Sequence, residues 1–421
     1  MKIERIAMLS VHTSPLAQLG GRKTGGMNVY VRELAQELGR RGITVDIFTR
    51  RASPDAPEID YSLGENVRVI HVQAGISQFL NPEEVYCHLS QFTSGVIAFT
   101  TRHNLSYDLI YSHYWLSGCV AHQLKVVWGI PFVQMFHTLG QMKNRILPGN
   151  VSMLPDVRIT TETQIVQWAD RIVAATPAEQ AQLLWLYRAD RRKIVIASPG
   201  VNTRRFHPLP EEEAKARLNI PQDTSLLLFV GRIEPLKAVD TIIEALDIIR
   251  RNHPELLETI RLCIIGGNPD DPADPEISHL KHMVAQLHLT PFVDFIGAKD
   301  QSLLPYYYAA ASAVLVPSDY ESFGMVALEA MASGTPVIAS EVGGLAFLVK
   351  DGKTGFLVPS RDPAALADRI TRLLQNPEQQ IHMRRESAEL ARRYTWSAIA
   401  DQLLPVFDDV VTRPKVSLHR N

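Results

Sequence analysis

Cysteine is scarce: Cys87, Cys119 and Cys263 are the only three among 421 residues. They are widely spaced, so they form neither a disulfide framework nor a metal-type pair, and a reducing cytoplasm is the expected compartment. Long apolar runs are missing too. None approaches the ~20 residues that a bilayer span needs, which argues against an integral membrane protein. The opening residues, Met1-Lys-Ile-Glu-Arg-Ile, lead directly into a strand pattern and do not read as a signal peptide. The Asn-x-Ser triplets at Asn104 and Asn150 therefore mean little. Neither sign of charge is in excess. The formal net charge is -2, so no broad field recruits nucleic acid or an anionic membrane. The dinucleotide fingerprint Gly-x-Gly-x-x-Gly is absent. Gly352-Lys-Thr is no P-loop, because Phe347 stands where the earlier glycine is required. Neither an Asp-x-Asp pair nor a Cys/His cluster is placed to hold a metal.

What remains is an ordinary globular composition, 46% apolar and 21% charged, in a chain long enough for two or three domains. Short apolar runs alternate with helical patterns. Arg5–Val11 reads as a buried strand, followed by the glycine-rich Gly20-Gly-Arg-Lys-Thr-Gly-Gly-Met-Asn28. Met27, Val31, Leu34 and Leu38 then recur at helical spacing until Gly42, and Val45–Thr49 is the next strand. Further strands are expected at Val67–Val72, Leu109–Tyr111, Phe132–Phe136, Ile172–Ala175 and Ile194–Ile196. Before Leu109, a helix is expected to end in Gln91–Gly95. A Pro-rich boundary, Ser198-Pro-Gly through Phe206-His-Pro-Leu-Pro210, precedes a second series: Leu226–Gly231, Leu262–Gly266, Val293–Ile296 and Ala313–Val316. The alternation implies an α/β fold class, with two consecutive βα domains of the doubly wound kind. The expected division is 1–203, 204–393 and a terminal segment 394–421 that packs back on the first domain.

The most informative stretch is Ser318-Asp-Tyr-Glu-Ser-Phe-Gly-Met-Val-Ala-Leu-Glu329. It follows an apolar strand and precedes a helix of good formers that Gly334 stops. Glu321 is expected in the loop at the strand's carboxyl end, and Glu329 about two helical turns in, on a similar face. Ligands of open α/β sheets bind at that edge. A second constellation is Phe229-Val-Gly-Arg232-Ile-Glu-Pro-Leu-Lys237. A guanidinium and an ammonium five residues apart can neutralise a diphosphate without a metal, or can sit in ordinary surface salt bridges with carboxylates. Gly25-Gly26 at a helix start and Gly343-Gly344 offer backbone N–H donors, or simply turn the chain. Ser112-His113-Tyr114-Trp115 and His137-Thr138, followed by Lys143, put polar residues at strand ends. This suggests a shared crevice, although a lone histidine can also be structural.

Together, the Glu-x7-Glu string with Phe-Gly inside it and Gly-Thr-Pro-Val-Ile-Ala after it resembles the signature of the retaining nucleotide-sugar glycosyltransferases of family 4. The resemblance runs from about residue 3 to 410. It implies the GT-B fold, two Rossmann-like domains facing a central cleft. The strings Ser10-Val-His-Thr-Ser-Pro-Leu-Ala, Gly25-Gly-Met-Asn-Val-Tyr-Val and Ser112-His-Tyr-Trp-Leu-Ser-Gly are most similar to the D-inositol-3-phosphate glycosyltransferases. Sucrose-phosphate synthases are related. By this likeness Arg232 and Lys237 hold UDP phosphates and Glu329 the ribose. Glu321 and the Phe323-Gly324-Met325 backbone hold the donor sugar, and His137 lies by the reacting centre. Gly26 and Asn28 meet donor or acceptor oxygens, and Tyr114, Thr138 and Arg158 contact acceptor phosphate. The catalytic set is thus His137, Arg232, Lys237 and Glu321. No cofactor or metal is implied beyond the UDP-sugar substrate, and a homodimer stays open. One departure stands out: Pro82 occupies a position where the inositol-phosphate enzymes use lysine. Fructose 6-phosphate or an unphosphorylated acceptor therefore stays open. An NAD-dependent oxidoreductase lacks its fingerprint, and a non-catalytic sugar-nucleotide sensor should lack the charges of Arg232 and Lys237.

Overall fold

The computed structural model describes residues 3–17, 25–146 and 156–412. Gly20–Thr24 of the glycine loop, the Asn150 triplet and the end of the terminal segment lie outside these residues. Two sheets form, as the alternation implies. The first contains β1 (Arg5–Leu9), β2 (Thr44–Arg50), β3 (Ile59–Asp60), β4 (Val67–Val72), β5 (Leu109–His113), β6 (Phe132–Met135), β7 (Arg171–Ala174) and β8 (Ile194–Ile196). Its order is β3-β4-β2-β1-β5-β6-β7-β8. All pairings are parallel except that of β3, a two-residue antiparallel edge too short to show in the sequence. The second sheet contains β9 (Ser225–Val230), β10 (Ile260–Ile265), β11 (Val293–Phe295), β12 (Ala311–Val316), β13 (Val337–Ser340) and β14 (Gly355–Val358), in the order β11-β10-β9-β12-β13-β14. Central strands such as β12 are buried along their whole length, because helices cover both faces of a parallel sheet.

Both strand orders reverse direction once, between β1 and β5 and between β9 and β12. Crevices open at these switch points, beyond the carboxyl ends of the strands. Residues after β1, β5, β6, β9 and β12 therefore converge on one cleft between the domains.

The chain crosses between domains twice, side by side. Val201 donates its N–H to the Tyr394 carbonyl at 2.6 Å. A Cβ at Gly200 would lie 2.8 Å from the Trp396 ring and 2.9 Å from its backbone nitrogen, so only glycine lets the strands pass. The helix Trp396–Thr412 then lies on the first domain. Trp396 meets Tyr30 at 5.4 Å between ring centroids, Phe407 meets Tyr111 at 5.1 Å, and Arg41 and Arg171 pair with Asp401 and Asp409, each at 2.6 Å.

Two local expectations change. The helix expected to end in Gln91–Gly95 runs as Leu89–Arg102. Gly95 interrupts nothing, because its bare face lies against Val72, whose Cγ1 would be 2.5 Å from an added Cβ. Glu329 is one turn into its helix, not two. The helix starts at Met325, after Gly324 turns the chain at φ 103°, and residues 321–323 stay in the loop.

Candidate active site

The cleft between the domains encloses about 540 Å³, within the size range of small-molecule sites. On the second domain's side, Arg232 follows β9, and its Nη2 lies 2.9 Å from the Glu234 carboxylate. Lys237 ends the short 3-10 turn Pro235–Lys237, and its ammonium pairs with Glu321. The turn is tied to the loop after β12 by the Asp319 N–H, which donates to the Leu236 carbonyl at 2.9 Å. Sequence neighbours of β9 and β12 thus share one surface.

The loop bearing Glu321 is clamped from behind. The Gly344 N–H donates to the Glu321 carbonyl at 2.8 Å. A Cβ on Gly344 would sit 2.2 Å from the Phe323 Cα, so glycine is required for this approach. This N–H, read from the sequence as a donor toward a ligand, is used inside the protein instead. Glu329 is 6% exposed and accepts a 2.9 Å hydrogen bond from the Tyr308 hydroxyl. Burial pushes its carboxyl up to about 7, against the lowering effect of Tyr308.

The first domain supplies the opposite wall. The helix Gly26–Arg40 starts at the cleft, and Gly26 approaches Met325 so closely that a Cβ would lie 3.1 Å from its Cγ. Asn28 spends its side chain on the protein: Oδ1 accepts from the Gly25 N–H at 3.1 Å, while Nδ2 donates to Thr13 Oγ1 and the Ser14 carbonyl, each at 2.7 Å. It holds the loop after β1 against the helix start. Tyr114 and His137 follow β5 and β6 with φ of 75° and 61°. Such left-handed backbone is costly for non-glycine residues and concentrates at functional sites. His137 Nε2 lies 3.0 Å from His113 Nδ1, and burial pushes the His137 imidazole down to about 3.

Of the residues singled out from the sequence, His137, Arg232, Lys237, Glu321, Glu329, Phe323, Gly324, Met325, Gly26, Asn28, Tyr114 and Thr138 all line the cleft. Arg158 does not. It is 3% exposed and lies behind the wall, its guanidinium 5.0 Å from the Tyr114 ring centroid. Its Nε donates to Glu162 at 2.8 Å, and its Nη2 donates to the Thr138 carbonyl and hydroxyl at 3.0 and 3.2 Å. Pairing with Glu162, one helical turn away, draws it inward. The cation that reaches the cleft there is Lys143, on the helix Gly140–Ile146. Burial lowers its ammonium to about 8, and the like charges of Arg158, Arg232 and Lys237 add to this. Pro82 also lines the cleft, at the start of the short helix Pro82–Tyr86. No lysine or arginine occurs between Arg68 and Arg102, so that rim has no positive charge from its own segment. His12, Thr13, Glu234, Tyr320 and Gln301 complete much of the lining and escaped the sequence reading. His12 and Thr13, just past the first strand, and Glu234 and Tyr320, inside the two constellations, carried a local signal; Gln301 carried none. No cluster of three or more His, Cys, Asp or Glu suited to a metal occurs among the described residues. Nor is any helix among them long and apolar enough to cross a membrane.

Comparison with known proteins fits this geometry. A family model for glycosyl transferases group 1 matches residues 210–390, and one for glycosyltransferase family 4 matches residues 24–205. The D-inositol 3-phosphate glycosyltransferase 2 of Catenulispora acidiphila is 41% identical over 404 residues, covering 96% of this chain and 94% of its own. The D-inositol 3-phosphate glycosyltransferase of Corynebacterium glutamicum is 39% identical over 415 residues, covering 98% of each. Among solved structures, sucrose-phosphate synthase from Thermosynechococcus elongatus superposes with a TM-score of 0.88 at 33% identity, covering 96% of this chain and 98% of its own.

Proposed function

The chain belongs to the family-4 glycosyltransferases of GT-B fold, enzymes that transfer a sugar, and we propose that it moves a hexosyl unit, glucose or N-acetylglucosamine, from a UDP-sugar to a phosphorylated sugar or polyol. The observation that carries this reading is the convergence of cations from both domains on one cleft. Arg232 and Lys237 line it from one side and Lys143 from the other, where burial chiefly, and the like charges of Arg158, Arg232 and Lys237 in addition, depress the Lys143 ammonium. A lysine held this way is unfavourable without an anion. Two anions fit the arrangement: the donor diphosphate against Arg232 and Lys237, and an acceptor phosphate against Lys143, Thr138 and Tyr114.

In this reading Glu329 binds the ribose, while Glu321 and the Phe323-Gly324-Met325 backbone hold the hexosyl hydroxyls. The barrier falls chiefly because fixed positive groups stabilise the departing diphosphate, whose charge grows in the transition state. The cleft between domains limits water, and with it hydrolysis of the donor. Lys237 already faces Glu321, so donor binding exchanges this ion pair for contacts to phosphate and sugar. The anomeric configuration is retained, no metal is needed, and the enzyme works in the cytoplasm.

Inositol 3-phosphate is the first acceptor to test, given the inositol-phosphate relatives. Fructose 6-phosphate is the second, because Pro82 stands where those relatives' family uses lysine and a sucrose-phosphate synthase shares the fold closely. A screen of UDP-glucose and UDP-N-acetylglucosamine against inositol 3-phosphate, fructose 6-phosphate and their unphosphorylated forms, read by product mass and anomeric NMR, tests the proposal. Transfer only to unphosphorylated acceptors, or an inverted product, overturns it.

A further inference from the structure

His113 is buried under the cleft wall, against His137 and the Tyr30 ring, both of which line the cleft. The 3.0 Å contact joins His113 Nδ1 to His137 Nε2. Burial pushes both imidazoles down, His137 to about 3 and His113 well below its ordinary value, so both are neutral near pH 7. One hydrogen therefore lies between the two rings, and it can belong to either.

The surroundings decide which. If His137 Nε2 carries the hydrogen, His113 must hold its own on Nε2. That atom is buried without a hydrogen-bond partner among the described residues. The hydroxyls of the neighbouring tyrosines turn to each other, Tyr30 to Tyr111 at 2.7 Å, with Tyr111 also donating to Met135 Sδ at 3.7 Å, and neither bonds this nitrogen. An orphaned buried N–H is the rarer and costlier defect; an unfilled acceptor is tolerated more often. If His113 Nδ1 carries the hydrogen instead, its Nε2 is only an unfilled acceptor. His137 Nε2 then accepts, and its own hydrogen sits on Nδ1.

We propose that His113 is a positioning residue that locks His137 in the Nδ1–H tautomer, so that His137 presents a fixed hydrogen-bond donor to an oxygen of the bound hexosyl group. His137 lines the cleft, and the hydrogen bond it makes among the described residues, to His113, uses Nε2. With that nitrogen already protonated and the other engaged by His113, His137 does not serve as a general base at neutral pH. The role at the sugar rests on the function proposed above; the tautomer does not.

The test labels the full chain with 15N-histidine and records long-range 1H–15N spectra, with His137 assigned by its loss in His137→Asn. The expected result is a protonated Nδ1 and an unprotonated Nε2 on His137 from pH 6 to 8. Protonated Nε2 on His137 overturns the proposal, whatever the enzyme transfers. In His113→Phe, which removes the donor, the tautomer should mix and kcat should fall about tenfold, the worth of one fixed hydrogen bond, with donor KM nearly unchanged. His113→Asn, which can return an N–H near the Nδ1 position, should restore both. An unchanged tautomer in His113→Phe also refutes the assignment, and if that variant fails to fold, the wild-type spectrum decides alone. Failure of transfer with every donor and acceptor would sink the proposed function and leave the spectrum to judge His113.

Discussion

Replacing Lys143 by methionine is the perturbation that bears most directly on the acceptor. Methionine keeps most of the stem and removes the ammonium. In the free protein burial, with a smaller contribution from Arg158, Arg232 and Lys237, lowers that ammonium to about 8. Its ordinary value is 10.5, so the unfolded chain keeps this proton to higher pH than the folded one. The folding penalty is full below pH 8 and is relieved between pH 8 and 10.5. Lys143→Met should therefore leave the melting temperature unchanged or higher at pH 7. With a phosphate in place the sign reverses. A hydrogen bond to a charged group is worth ~1.5–3 kcal/mol, which is roughly 10- to 150-fold in affinity. The acceptor KM should rise by that factor for a phosphorylated acceptor and barely move for its unphosphorylated form. In wild type the KM for the phosphorylated acceptor should also climb above pH 8, as the ammonium deprotonates, and Lys143→Met should flatten this limb. Steady-state kinetics on matched acceptor pairs between pH 6.5 and pH 9.5 measure both effects. Equal loss for both acceptors, or none for either, refutes the placement of phosphate at Lys143.

Lys237→Ala should cut turnover by ~10²–10³ while wild-type activity survives a chelator; near-normal turnover or abolition by chelator contradicts the leaving-group role. Arg158→Ala strips the buried Glu162 of its ion-pair partner, leaving it, among the described residues, only the Gly140 N–H and the Tyr187 hydroxyl, and should cost ~3–5 kcal/mol of stability by denaturant titration. A stable Arg158→Ala protein that loses only its preference for phosphate would mean that Arg158 reaches the acceptor itself. Glu179 is 2% exposed, and burial raises its carboxyl to about 7, so its contribution to stability is full below pH 4.5 and lost as pH rises through 7. Glu179→Gln should therefore gain on wild type between pH 5 and pH 8 by ~1–3 kcal/mol, and parallel melting curves at the two pH values would expose the error. Gly344→Ala forces the backbone at Phe323 aside; it should cost ~1–3 kcal/mol and raise the donor KM, and an unchanged donor KM would detach this turn from the donor site.

Much of this protein is local in origin. Parallel strands buried on both faces read as short apolar runs, so β1, β4, β8, β9 and β12 were visible without coordinates, as was the fold class that follows from their alternation with helices. The string from Ser318 to Glu329 and the pair Arg232 and Lys237 were visible because a strand end, a glycine turn and a helix start occupy consecutive residues. Tertiary structure decided whatever depends on packing between distant segments. It moved Arg158 behind the wall, because a buried arginine goes to its carboxylate, and Glu162 is one helical turn away. It brought Lys143 forward in its place, and it spent the Gly344 N–H on the Glu321 carbonyl. It also set His113 against His137. Adjacent strands β5 and β6 place these residues in contact, although they are 24 positions apart in sequence. Sequence carries which groups the site can use. Which of them face the cleft, and which proton each one holds, depends on burial and partners that no stretch of the chain contains by itself.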